Sequence, residues 1–124
     1  MNAATILIVD DEESVVQLLQ RVLVTEGYTV LAATTPNAAV DICRQTRRVD
    51  LLITDVTMPG MSGYDLAQAI FKLQPSTKVL FVSGYPQTIA GDEPRMSFLA
   101  KPFLPRQLVA TVQILLADPS PDLT

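Results

Sequence analysis

Histidine is missing from the 124-residue chain. Without imidazole there is no Ser-His-Asp triad, no histidine metal ligand and no ordinary general base near neutral pH. Nor can the chain carry phosphate on a histidine of its own. A single cysteine, Cys43, excludes an internal disulfide framework and a Cys-rich zinc site. No apolar run approaches the roughly 18 residues of a membrane span, so membrane insertion is not expected. The amino-terminal residues before Thr5 carry no basic segment, so no signal peptide is expected and a cytoplasmic location is. Lys and Arg number 9 against 13 Asp and Glu, a net charge of −4. That balance lacks the basic face of an electrostatic nucleic-acid binder, and no direct nucleic-acid contact is expected. Carboxylates, hydroxyls and lysine are left to carry any chemistry.

Hydrophobic residues make up 48% of the chain and charged ones 18%, a globular balance. The length suits one domain with a core of its own, needing no metal or disulfide staple. Thr5–Val9 is an aliphatic run without alternation, as suits a strand covered on both faces. Val15, Leu18, Leu19, Val22 and Leu23 then repeat at helical spacing, and Gly27 follows as a C-cap. Thr29–Ala33 reads as a second strand. Thr35 and Pro36 open a second helix as cap and first residue, with Ala39, Ile42 and Cys43 on its apolar stripe and Arg44, Arg47 and Arg48 near its end. Asp50–Thr54 is a third strand running into Asp55. Ser62 caps a third helix with Leu66, Ala69 and Ile70 inside, ending before Pro75. Thr77–Val82 is a fourth strand and Ser97–Ala100 a brief fifth. Leu108, Val112, Leu115 and Leu116 mark the last helix. Pro119 and Pro121 cannot continue it comfortably, so the expected division is a domain over residues 1–117 and a tail or linker start over 118–124.

Strands alternating with helices at this spacing predict a doubly wound α/β fold with a five-stranded parallel sheet. Polar residues gather where such a sheet forms its sites, beyond the carboxyl ends of the strands. Asp10 and Asp11 follow the first strand, Asp55 the third, Ser83 the fourth and Lys101 the fifth. Three crowded carboxylates repel one another unless a cation sits among them. A hard divalent ion such as Mg2+ takes oxygen ligands and bridges to phosphate. Lys101 adds positive charge and Ser83 a hydroxyl donor, the electrostatic demand of a phosphoryl group in transfer. A carboxylate can itself be the nucleophile. Each feature alone has a plainer reading. The acids Asp10 to Glu13 suit a helix start, and for Glu12 and Glu13 that reading stands. Asp after a strand and Ser83 before Gly84 suit turns, and Lys101-Pro102 suits a surface loop. The joint pattern separates the readings.

Ile8-Val9-Asp10-Asp11-Glu12, Asp55-Val56-Thr57-Met58-Pro59-Gly60-Met61-Ser62-Gly63, Val82-Ser83-Gly84-Tyr85 and Lys101-Pro102-Phe103 together resemble a response-regulator receiver domain of bacterial two-component signalling. The resemblance spans residues 4 to 117 and is nearest in flavour to receivers of hybrid sensor histidine kinases. It implies a flavodoxin-like sheet of strand order 2-1-3-4-5. It implies Asp55 as phosphoacceptor, and Mg2+ bound by Asp11, Asp55 and the backbone carbonyl of Thr57, with Asp10 acting mainly through a bound water. It further implies Ser83 as the switch hydroxyl, Lys101 as the phosphate's cationic partner, Phe98 as the switch aromatic, and a cis peptide before Pro102. The implied partners are a histidine kinase or histidine phosphotransfer domain, and a downstream protein or an attached kinase module. No organic cofactor is implied. The chain departs from the family in one place: Ser83 and Lys101 are closer in sequence than usual, and Pro86, Gly91 and Pro94 lie between them. A short or irregular fourth helix is expected there, which puts the family's usual dimer and output face in doubt.

Two other functions compete. A small Mg2+-dependent phosphatase with an aspartyl-phosphate intermediate would need Asp-x-Asp after the first strand, where this chain has Asp10-Asp11-Glu12, and it would need a cap domain. The chain is accordingly not expected to be an enzyme beyond its own phosphorylation and dephosphorylation. A receiver-like module that no longer uses phosphate would be expected to lack site residues, and all five are here.

Overall fold

The computed structural model describes residues 3–84 and 94–117. Five strands, β1 (Thr5–Val9), β2 (Thr29–Ala33), β3 (Leu51–Asp55), β4 (Lys78–Ser83) and β5 (Met96–Ala100), alternate with helices α1 (Glu13–Thr25), α2 (Pro36–Gln45) and α3 (Gly63–Leu73), and α4 (Pro105–Ala117) closes the described chain. The strands form one parallel sheet in the order β2-β1-β3-β4-β5. This is the doubly wound parallel sheet that the alternation predicts, in the flavodoxin-like strand order that the resemblance implies. Residues 86–93, where a short or irregular helix is expected, lie outside the described residues, as does the 118–124 tail. Pro94 and Arg95 form a turn and Met96 opens β5.

The central strands are buried on both faces because helices cover each. On one face Leu7, Val9, Leu52, Val79 and Phe81 pack with Ala39 and Cys43 of α2 and Leu66, Ala67 and Ile70 of α3. On the other, Ile6, Ile8, Ile53, Leu80 and Val82 pack with Val16, Leu19 and Leu23 of α1 and Leu108 and Val112 of α4. Period-two alternation between the two faces thus survives within these strands although their side chains on both faces are mostly apolar.

The stripe expected on α1 holds at Val15, Leu19, Val22 and Leu23 but shifts at one edge, where Val16 takes the place of Leu18. Val16 is buried while Leu18 is 52% exposed. The buried set is Val16, Leu19 and Leu23, and Val15 and Val22 flank it. Two adjacent valines and two adjacent leucines satisfy more than one helical phase, and packing selects one. On α3, Ala67 is buried and Ala69 only half-buried. Local signals fix the helix ends better. The Thr35 hydroxyl accepts from the Ala38 amide at 3.1 Å with Pro36 next in line. The Ser62 hydroxyl accepts from the Asp65 amide at 3.1 Å. Gly27 follows α1 with φ of 95°, a left-handed conformation that favours glycine.

At the amino ends of the strands, Gln74 joins three elements. Its side-chain carbonyl accepts from the Val49 amide at 2.6 Å, and its amide nitrogen donates to the carbonyls of Cys43 and Thr46 at 3.1 and 3.0 Å. Lys78, buried at the start of β4, donates to the Leu115 carbonyl in the last turn of α4 at 2.6 Å. These contacts leave the carboxyl ends of the strands free to carry the polar cluster.

Candidate functional site

Parallel strands all end on the same side, so residues distant in sequence meet beyond their carboxyl ends. Asp10 follows β1, Asp55 ends β3, Ser83 ends β4 and Lys101 follows β5. Asp10, Asp11 and Asp55 each offer a carboxylate oxygen within 4.8 Å of the others. Lys101 Nζ donates to Asp55 Oδ2 at 3.1 Å and reaches Asp10 Oδ2 at 3.4 Å. The four predicted charged residues are therefore in one place.

Their settings differ. Asp10 is buried, Asp55 half-buried and Asp11 exposed. Burial pushes the Asp10 carboxyl above its ordinary range, and the Asp55 charge adds to that. The Glu12 amide, donating to Asp10 Oδ1 at 2.9 Å, and the Lys101 cation pull the other way. Burial lowers Lys101, but its bond to Asp55 and the charges of Asp10 and Asp55 outweigh it, and the ammonium is held above its usual value. Asp55 is aimed by its own loop: the Thr57 amide donates to Asp55 Oδ1 at 3.2 Å.

An oxygen-only donor set, one oxygen from each of three carboxylates with one of them open to solvent, fits a hard divalent cation such as Mg2+, which keeps waters and prefers oxygen. The neighbouring ammonium adds a second positive charge for an anionic group. Such a pocket can hold a phosphoryl group beside a carboxylate nucleophile.

Ser83 is buried and lies one register step beyond Val82, which pairs with Asp55. Its carbonyl accepts from the Lys101 amide at 2.7 Å, tying the ends of β4 and β5 together. The peptide between Lys101 and Pro102 is cis. Phe98 pairs in register with Phe81, their rings 5.2 Å apart, and Tyr64 of α3 packs on both at 4.8 and 6.3 Å. Phe98 therefore sits on the same sheet face as Phe81, half-buried under α3.

The chain matches the response regulator receiver domain family over residues 6–113. It belongs to that family. The receiver domain is 38% identical over 120 residues to the sensor kinase CckA of Brucella abortus, covering 93% of this chain and 13% of that kinase. It is 34% identical over 119 residues to the uncharacterized transcriptional regulatory protein YbdJ of Bacillus subtilis, covering 94% of this chain and 52% of that regulator. Among solved structures, the receiver domain from the hybrid histidine kinase CckA superposes with a TM-score of 0.82 at 34% identity, covering 91% of this chain and 99% of that one. The chain thus spans a small part of the kinase and about half of the regulator. No helix among the described residues is long and apolar enough to cross a membrane.

Two residues that the sequence reading assigned no role touch the site's supports. Tyr64 braces Phe98. Gly63 opens α3 against the Asp55 backbone: its amide donates to the Val56 carbonyl at 2.7 Å, and a Cβ there would fall on the Asp55 carbonyl oxygen. The available signal was a propensity conflict, glycine placed directly after a strong serine cap where better helix formers abound.

Proposed function

We propose that this receiver domain accepts a phosphoryl group on Asp55 from the phosphohistidine of a histidine kinase or histidine phosphotransfer domain. The observation that carries the reading is Lys101 Nζ set between Asp55 and Asp10, with Asp11 close by. Carboxylate, cation and a three-oxygen metal cluster are what phosphoryl transfer to an aspartate requires.

An Asp55 carboxylate oxygen attacks phosphorus, the phosphorus–nitrogen bond of the donor breaks, and its electron pair returns to the imidazole. Hydrolysis later adds water, releasing inorganic phosphate and restoring the carboxylate. Asp11, Asp55 and the Thr57 carbonyl would hold Mg2+ directly, with Asp10 acting mainly through a bound water. Bound Mg2+ supplies positive charge that offsets the carboxylates and the transferring oxygens. Lys101 takes up a phosphoryl oxygen, and the Ser83 hydroxyl turns to donate to another. Phe98 moves further under α3 as Ser83 turns, and a protein-binding surface changes. The chain catalyses only its own phosphorylation and dephosphorylation. Its output goes to a downstream protein or to an attached kinase module, and the similarity to CckA favours the second. Residues 1–117 form the signalling unit, 118–124 are a tail or the start of a linker, and the setting is cytoplasmic.

The test is labelling with acetyl phosphate and Mg2+, read by intact mass. Wild type should gain one phosphoryl group and Asp55→Asn none. An Asp55→Asn protein labelled as fast and as stably as wild type would remove the assignment.

A further inference from the structure

Gly63 is the first residue of α3, placed directly after the Ser62 cap. Its φ lies outside the left-handed region, so backbone freedom does not demand glycine there. Space does. A Cβ at this position would fall on the carbonyl oxygen of Asp55 and lie 3.0 Å from its carbonyl carbon and 3.1 Å from Val56 Cα. All three atoms are backbone, so no flexible side chain can swing aside.

That backbone is also held by further contacts. The Thr54 hydroxyl donates to the Asp55 carbonyl at 3.0 Å, and Thr54 is fully buried. The Val56 carbonyl takes the Gly63 amide. A side chain at 63 can be admitted only by moving α3 outward or by turning the Asp55–Val56 peptide. Either shift displaces the Asp55 carboxylate and the Thr57 backbone. Asp10, Asp11 and Lys101 follow other strands and would not move with them.

We propose that Gly63 is a positioning residue for Asp55. Its missing side chain lets the first turn of α3 close on the Asp55–Val56 peptide, which sets the Asp55 carboxylate within reach of Lys101 and the other two acids. The role rests on reading Asp55 as the phosphoacceptor. Gly60, in the same loop, provides the contrast. It has φ of 86°, and a Cβ there would meet nothing within 4 Å. Glycine at 60 serves the loop's conformation without touching the Asp55 backbone.

The experiment compares Gly63→Ala, Gly60→Ala and wild type in the full chain. The readouts are thermal midpoint, Mg2+ dissociation constant, and initial rate of acetyl phosphate labelling at saturating Mg2+ well below the midpoint. Both variants should lose midpoint. Only Gly63→Ala should bind Mg2+ more weakly and label more slowly, on the order of tenfold to a hundredfold, as displacement of a reacting group by part of an ångström to one ångström does. Wild-type labelling and Mg2+ affinity in Gly63→Ala would overturn the proposal. So would equal slowing in both variants in proportion to lost midpoint. Absence of label on wild-type Asp55 would instead overturn the phosphoacceptor reading. Should Gly63→Ala fail to fold, exchange of the Gly63 amide in wild type decides: Mg2+ should slow it several-fold, and an unchanged rate overturns the proposal.

Discussion

Asp10 is the most deeply buried charged residue among those described, 1% exposed and facing Asp55 with Lys101 between them. Without a divalent cation, Lys101 offers one positive charge to three carboxylates. Asp11, exposed and paired with no described cation, then contributes repulsion. Asp11→Ala is expected to raise the thermal midpoint in the absence of Mg2+ and to abolish the rise that Mg2+ gives wild type. In wild type, Mg2+ at a hundred times its dissociation constant should add about 2.7 kcal/mol by mass action. Thermal melts with and without the ion check both, and a midpoint insensitive to Mg2+ contradicts them. Lys101→Met removes the positive charge beside Asp55 that the proposed transfer places on the phosphoryl oxygens. Labelling of Asp55 should slow by roughly a hundredfold, as loss of one preorganised electrostatic partner does. A stopped-time labelling series measures it.

Elements owe their places to contacts that differ in how plainly sequence announces them. Caps were legible because they depend on two or three adjacent residues, as at Thr35-Pro36 and Ser62. The positions of β1 and β3 were legible because each is an aliphatic run that stops at an aspartate. The edge of the α1 stripe was not, since Val15-Val16 and Leu18-Leu19 each offer two apolar neighbours and only packing on the sheet buries Val16 and exposes Leu18. The Gln74 contacts were also invisible, because their partners stand 25 to 31 residues away. Gln74→Ala leaves the Val49 amide and two carbonyls without their partner, and an equilibrium unfolding measurement should show a loss of about 1–3 kcal/mol. Cys43, inside α2, has its thiol pushed above its ordinary value by burial. Stability tied to that thiol is complete below its unfolded pKa and is lost as pH rises through the higher folded value. Wild type should therefore lose more stability than Cys43→Ala on going into the alkaline range, and denaturant melts across that range give the difference.

The molecule as a whole is a sheet whose topology does the gathering. Residues 10, 11, 55, 83 and 101 were legible as a set because each stands where a strand stops, and parallel strands stop on one side. What lay beyond the sequence was how the set is supported: Thr57 aiming Asp55, Ser83 and Lys101 joined through backbone, Tyr64 bracing Phe98, and α3 closing on the Asp55 peptide at Gly63. Those are backbone approaches and cross-element contacts, which residue types alone do not encode. The central claim is that this gathered site makes an acyl phosphate on one named aspartate. Hydroxylamine tests bond and position together, since it displaces phosphate from an acyl phosphate and leaves a hydroxamate on the same carbonyl carbon. After treatment with acetyl phosphate and Mg2+, then hydroxylamine, peptide mass spectrometry should find the hydroxamate on Asp55 alone and none when Mg2+ is withheld. A phosphate that resists hydroxylamine, or a hydroxamate on any other carboxylate, would contradict the account.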